Sequence, residues 1–456
     1  MPLPRTCLMH KITHPGAREI ICRLIHLFTP PRLHSLSTPA ILSGSHTLYS
    51  TYIFNLSSIS KLSTLIVMIP RDKIKKNFNL GGITMLPVDL EQFWKDDDAS
   101  HGQNCFDKNA PQVAMGIRMS DECVFAELNE EGNPWGHTPR ERRIELNKRY
   151  NDKAEQIVGR RLLRENFPTP DQLFPAYRQI GEVFGGEYVF DGNVTWLKGN
   201  CSTPKELEAQ LDKIDRMDFR SFVLPKTWEQ EKKRLYETYG LKPALWRKIR
   251  GPVTLATSIY GVDHFIFLYY DAPELYYRLR DTIQNVMHSY ITLFDEEAGH
   301  PDNADAHSFY FNDDDCNLLT PEMYEEFGYP ILKSVFERCC PGENDWRYQH
   351  SDSSMGHLLP ILARLNLSGC NFGPTLTVRE IRRYMPHTRI DGQLAPFTFM
   401  KNDEQAIIAE VKRDCEMAKE NDLRGVNIST AGSINNGSLL TSMRAVMYAI
   451  QQYGRY

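Results

Sequence analysis

From about residue 113 onward, short apolar runs alternate with longer stretches whose apolar residues recur at helical spacing, and few folds accept that alternation. A strand buried on both faces is a brief apolar run, whereas a covering helix shows one apolar stripe every three or four residues. The runs His307–Phe311, Trp346–Gln349, Leu367–Phe372, Arg389–Leu394 and Gly425–Ser429 are read as strands. Two earlier strands are expected at Glu187–Phe190 and Pro252–Ala256. Between them lie helical stripes: Leu358, Leu359, Ile361, Leu362 and Leu365, then Ile407, Ile408, Val411, Cys415 and Ala418. A last helix carries Leu439, Leu440, Met443, Val446, Met447 and Ile450, and a helical excursion is expected over Pro204–Tyr239.

Strands alternating with helices give a parallel sheet covered by helices. An open doubly wound sheet usually announces itself by a glycine-rich turn after its first strand, and neither GxGxxG nor a phosphate-loop motif is present. The expectation is therefore an α/β fold, a (β/α)8 TIM barrel with an N-terminal extension, although the seven strands found are one short of closure. Helix starts agree: Thr320-Pro321 supplies a cap followed by proline, and Asn402 to Gln405 reads as a capping box.

The first stretch differs from the rest. Residues 1–84 hold ten of the 53 basic residues but only Glu19 and Asp72 of the 58 acidic ones. The apolar segment Ile20–Phe28 is interrupted by Cys22, Arg23 and His26, and is too short to span a bilayer. We read residues 1–84 as a non-native or disordered leader and residues 85–456 as the folded domain. Leu80-Gly81-Gly82-Ile83-Thr84 is what a translated ribosome-binding site would give, so Met85 is the expected true start, with Met68 second.

With 41% hydrophobic and 24% charged residues, the chain can bury a large core. The net charge of -5, without a basic stripe interleaved with aromatics, argues against nucleic acid, and no membrane association is expected. Ten cysteines without a CxxC pair fit a reducing, cytoplasmic setting better than a disulfide framework.

In a barrel, chemistry gathers where strands end. Three late strands run into polar groups: Asn312-Asp313-Asp314-Asp315-Cys316, His350-Ser351-Asp352, and Cys370-Asn371, while a fourth holds Asp391 and Gln393. Alternate residues of a strand face the same way, so His350 and Asp352 can converge on one proton, metal ion or substrate group. Adjacent carboxylates raise the pKa of at least one of their number, which suits acid/base work or a cation. A solvated acidic loop is the plainer reading of that run.

The order of these segments resembles the uroporphyrinogen decarboxylase superfamily. Gly251-Pro252-Val253-Thr254-Leu255-Ala256, Gly261 and Asp271-Ala272-Pro273-Glu274 are similar to its "GPxTLA…G…dPE" segment. Asp314-Asp315-Cys316, Leu319-Thr320-Pro321-Glu322-Met323, His350-Ser351-Asp352 and the closing Gly432–Tyr453 continue the likeness over roughly residues 170–456. The superfamily includes tetrapyrrole decarboxylases and methyltransferases that work with corrinoid proteins. The decarboxylases' Arg-rich "MRQAGR" segment is not found, and Ala431-Gly432 stands where they have His before the last glycine. The methyltransferases hold zinc through H-x-C and a later Cys; here His350 is kept, Asp352 replaces the first Cys and Ala431 the second.

The resemblance implies an enzyme that moves a methyl group between a small methylated substrate and a corrinoid held by a partner protein. His350 and Asp352 would bind a metal, with zinc expected, or handle a proton. Asp314 and Asp315 would polarise or orient the substrate, and Asn371, Gln393 and Asp391 would bind it. The alternatives are a cofactor-free decarboxylase of uroporphyrinogen or a related tetrapyrrole, whose anionic substrate would draw on Arg250, Arg379, Arg382, Arg383 and Arg389, and a non-catalytic barrel binding a corrinoid or metabolite.

Overall fold

A computed structural model of the chain describes residues 79–80, 83–166, 170–190, 195–300, 307–434 and 437–456, which belong to a compact unit running from Lys76 to Tyr456. Of the leader expected over residues 1–84, only the short antiparallel pair Asn79–Leu80 and Ile83–Thr84 falls within the described residues; Met68 lies outside them.

The sheet strands are short and of the expected type: β1 (Ala114–Met115), β2 (Lys248–Arg250), β3 (Ser308–Asn312), β4 (Trp346–Ser351), β5 (Gly369–Phe372), β6 (Arg389–Leu394) and β7 (Val426–Thr430). All pair in parallel, in the order β1-β7-β6-β5-β4-β3-β2. Followed round a circle, this is chain order, with β1 rejoining β7 as in a TIM-type barrel. Where eight strands were expected, the described residues supply seven, and the ladder is open between β1 and β2.

Two of the strands read from sequence are placed differently. Glu187–Phe190 is extended, but it pairs antiparallel with Thr195–Lys198 outside the main sheet. Pro252–Ala256 opens a helix, α1 (Pro252–Tyr260), and the strand is the preceding Lys248–Arg250. Pro252 sits at the first helical position, and nearly every residue of α1 is buried, so the segment lacks the polar face that marks a helix in sequence.

The alternation along β3 shows how the layers form. Phe309 and Phe311 are buried and face outward, with Phe311 set edge-on to Phe336 of the helix Gly328–Cys339. Tyr310 and Asn312 take the opposite, inner face, as period two requires. The later helices α2 (Glu404–Ala418) and α3 (Leu440–Tyr453) bury the stripes read from sequence and pack on each other. Thr320 caps its helix through the Met323 N–H. At the second expected cap the residue is Asp403, which accepts from Gln405 and Ala406, whereas Asn402 turns into the left-handed region and bonds the Met400 and Gly437 carbonyls. Pro204–Tyr239 divides into three helices, Pro204–Ile214, Phe219–Val223 and Trp228–Tyr239. Among the described residues no helix is long and apolar enough to cross a membrane.

Arg382, a candidate substrate cation on sequence grounds, is a buried clamp at the amino-terminal ends of β6 and β7. Its guanidinium donates to the carbonyls of Met385, Pro386, Thr388, Arg424 and Gly425. Burial lowers its pKa to about 10, so it stays charged at neutral pH. Arg382→Met takes a charged donor from all five carbonyls and is expected to lower unfolding stability by about 2–4 kcal/mol in urea titrations.

Candidate functional site

The pairing register sets the site. Arg250, Asn312, His350 and Asn371 are successive partners across β2, β3, β4 and β5, and Asp391 stands opposite Asn427 across β6 and β7. These polar side chains form a row across neighbouring strands, at or near the carboxyl ends of β2 to β5 and further down in β6 and β7. One residue-pair deeper, Tyr310 lies opposite Tyr348, with ring centroids 4.8 Å apart.

Asn371 ties the row together. Its Nδ2 donates to the Asp391 and Thr430 carbonyls, and its Oδ1 accepts the Gly432 N–H at 3.1 Å. The same Oδ1 lies 2.8 Å from His350 Nδ1. His350 Nε2 points toward Asp314, whose Oδ1 is 3.9 Å away and accepts the Asp352 N–H at 3.2 Å. Asp314, His350 and Asp352 each offer one ligand atom, all within 4.8 Å of one another. Gly432, at φ +115°, allows this approach, since a Cβ there would lie 2.5 Å from the Asp352 Cβ.

The neighbouring acids have separate surroundings. Asp315 is held by α1: its N–H donates to Thr254 Oγ1 and its carboxylate accepts from Thr257. Asp313 is fully buried; its Oδ1 accepts the Thr254 N–H, and its Oδ2 has no hydrogen-bond partner. A Cβ at Gly251 would meet the Asp313 Cβ at 2.1 Å, so the Gly251-Pro252 turn is what admits this side chain. Burial pushes the Asp313 carboxyl up to about 7, with Asp314 and Asp315 adding to the shift. Burial and then the Asp352 carboxylate raise Asp314, while His350 opposes them. Both shifts arise chiefly from burial, with the crowding of neighbouring carboxylates adding to it.

A cavity of about 270 Å³ opens beside the row. His350, Asn371 and Asp391 line it, together with Tyr310, Tyr348, Arg118 and Arg389. The Asp391 carboxylate is fully engaged: Arg389 grips it in a fork at 2.8 and 2.9 Å, and Tyr348 Oη and Asn427 Nδ2 donate to it. Arg389 also lies over the Trp346 ring and donates to Asn104. Gln393 is buried away from the cavity, where it bonds the Gly373 and Leu376 carbonyls. Sequence reasoning missed Arg118, Tyr310 and Tyr348. Arg118 follows β1, which is only two residues long and gives little signal, and the two tyrosines read as ordinary strand residues.

A nitrogen between two carboxylates suits a hard or borderline divalent ion, zinc included, and no thiolate contributes. The residues present fit a metal, with Asp314 as the third donor beside His350 and Asp352.

A family model described as uroporphyrinogen decarboxylase (URO-D) matches residues 195–453. Among solved structures the chain is similar to a methyltransferase from Methanosarcina mazei, at 16% identity and TM-score 0.46, over 75% of this chain and 94% of that one. It is also similar to a B12-independent methionine synthase from Shewanella sp. W3-18-1, at 13% identity and TM-score 0.33, over 70% of this chain and 89% of that one. Among curated protein sequences none matches the chain.

Asp313 leaves a pH signature. Its folded-state pKa, raised from 3.8 to about 7, means that the folded chain holds an extra proton between those values. Stability contributed by that proton falls as pH rises through this window and is level above it. In metal-free protein Asp313→Asn keeps the acceptor for Thr254 and is expected to flatten that fall in denaturant midpoints measured from pH 4 to 8.

Proposed function

Because the chain belongs to the uroporphyrinogen decarboxylase family, we propose that it is an enzyme that moves a methyl group between a small methylated substrate and a corrinoid carried by a partner protein. The observation that carries this reading is the O, N, O donor trio Asp314, His350 and Asp352 beside a cavity of about 270 Å³, just below the ~300–1,000 Å³ usual for ligand pockets. A divalent ion held there, zinc by expectation, supplies Lewis acidity toward the substrate heteroatom that carries the methyl group. A corrinoid on the partner protein would supply the electron pair that takes up the methyl group, with the substrate heteroatom keeping the pair of the bond that breaks. The chain's own residues orient and enclose the substrate: Tyr310, Tyr348, Asn371, Arg118 and the Arg389–Asp391 pair all line the cavity. Asp315, anchored by Thr254 and Thr257, fixes the turn that presents Asp314.

Tetrapyrrole decarboxylation is less well supported, because its anionic substrate needs convergent cations. Arg379 pairs with Glu420 on the surface, Arg382 is the buried clamp, Arg383 lies exposed beside Tyr384, and Arg389 is bound to Asp391. Arg250 reaches Ser258. Uptake of a methyl group from a panel of small methylated donors by a reduced corrinoid protein, followed in the visible spectrum, tests the proposal. No spectral change with any donor, or release of carbon dioxide from uroporphyrinogen, contradicts it. His350→Ala is expected to lose stoichiometric zinc by elemental analysis and to slow methyl transfer by more than about a hundredfold.

A further inference from the structure

We propose that Asn371 is a positioning residue that fixes the tautomer of His350, so that the bare Nε2 faces Asp314 and Asp352 ready to bind a cation. The inference rests on the metal-site reading above, but it concerns the protein before any ion arrives. An asparagine amide can be placed either way round, and here the surroundings decide. Both Nδ2 hydrogens are used, on the carbonyls of Asp391 and Thr430. Oδ1 accepts the Gly432 N–H. Turning the amide over would set an oxygen against two carbonyl oxygens and an NH2 against an N–H, losing three hydrogen bonds. The atom 2.8 Å from His350 Nδ1 is therefore an acceptor, and Nδ1 must carry the proton.

A neutral imidazole has one N–H, so Nε2 is left with its lone pair. That lone pair is directed at the opening between two carboxylates, with Asp314 Oδ1 3.9 Å away. Nitrogen and oxygen lone pairs facing each other across this gap are an arrangement that a cation completes. Asn371 is buried, lies on the central strand β5, and is bonded to the backbone of β6 and to both sides of the turn after β7. The tautomer is thus set by three strands and the first residues of the turn after β7. Asn371 acts through His350, a role distinct from the direct substrate contact expected from sequence.

The test is the ring-proton position in metal-free protein labelled with 15N-histidine, read by long-range 1H–15N correlation at pH 8.5, with His350→Gln to assign the signal. Wild type is expected to show Nδ1 protonated and Nε2 bare. Asn371→Ala removes the acceptor, leaves Asp314 as the nearest alternative for an N–H at Nε2, and is expected to shift the ring toward the Nε2–H form and to weaken zinc binding ~10- to 100-fold. Asn371→Asp, which keeps an acceptor toward Nδ1, is expected to restore the wild-type tautomer. A wild-type ring protonated at Nε2 overturns the proposal even if the variants do not fold, and so does an Asn371→Ala ring that keeps the wild-type tautomer. If the tautomer is as proposed but zinc does not bind, the metal-site reading fails and this inference stands.

Discussion

In a parallel sheet, residues at one level of neighbouring strands face the same side, and every second residue returns to that side. Once β4 and β5 pair His350 with Asn371, the register leaves little freedom to the rest of the inner face. Asn312 falls beside His350, and Tyr348 falls two residues below it beside Tyr310. A slip of one residue in β4 would turn His350 toward the outer helices and send Gln349 into the site. The site is therefore a property of strand pairing first and of loop structure second.

On that row, side chains divide between work and support. Asp391 and Arg389 neutralise each other in a fork, and Tyr348 and Asn427 occupy the remaining acceptor positions of the carboxylate. A charged pair lining the cavity is thus immobilised without leaving either charge unpaired. Asp314 and Asp352 are treated differently: no arginine or lysine is paired with either among the described residues, and Asp314 is held above the usual carboxylate range by burial and by Asp352. Beyond solvent, compensation for their charge can come from His350, a proton or a bound cation. Asp313, fully buried beneath them, has its pKa raised to about 7 and so is mostly uncharged only below that pH.

Much of this was readable from the chain. The late strands appear within one or two residues of their expected bounds, because buried parallel strands followed by amphipathic helices produce two distinct periods. His350 and Asp352 could be joined from their i, i+2 spacing, and the structure adds Asp314 to them. What was hidden depends on contacts distant in sequence. Asp391 and Gln393 share a strand face in pattern, yet one lines the cavity and the other bonds the loop carbonyls of Gly373 and Leu376. The almost wholly buried helix α1 shows no polar face and so imitates a strand. Arg382 looks like a surface arginine until the chain brings five carbonyls around it.

The site's chemistry turns on a cation held by Asp314, His350 and Asp352 without sulfur. X-ray absorption at the zinc edge of the zinc-loaded protein tests this most directly. Nitrogen and oxygen neighbours only are expected around the metal, with a single imidazole signature that His350→Ala abolishes. A sulfur ligand in the first shell, or an imidazole signature that survives the substitution, would contradict it.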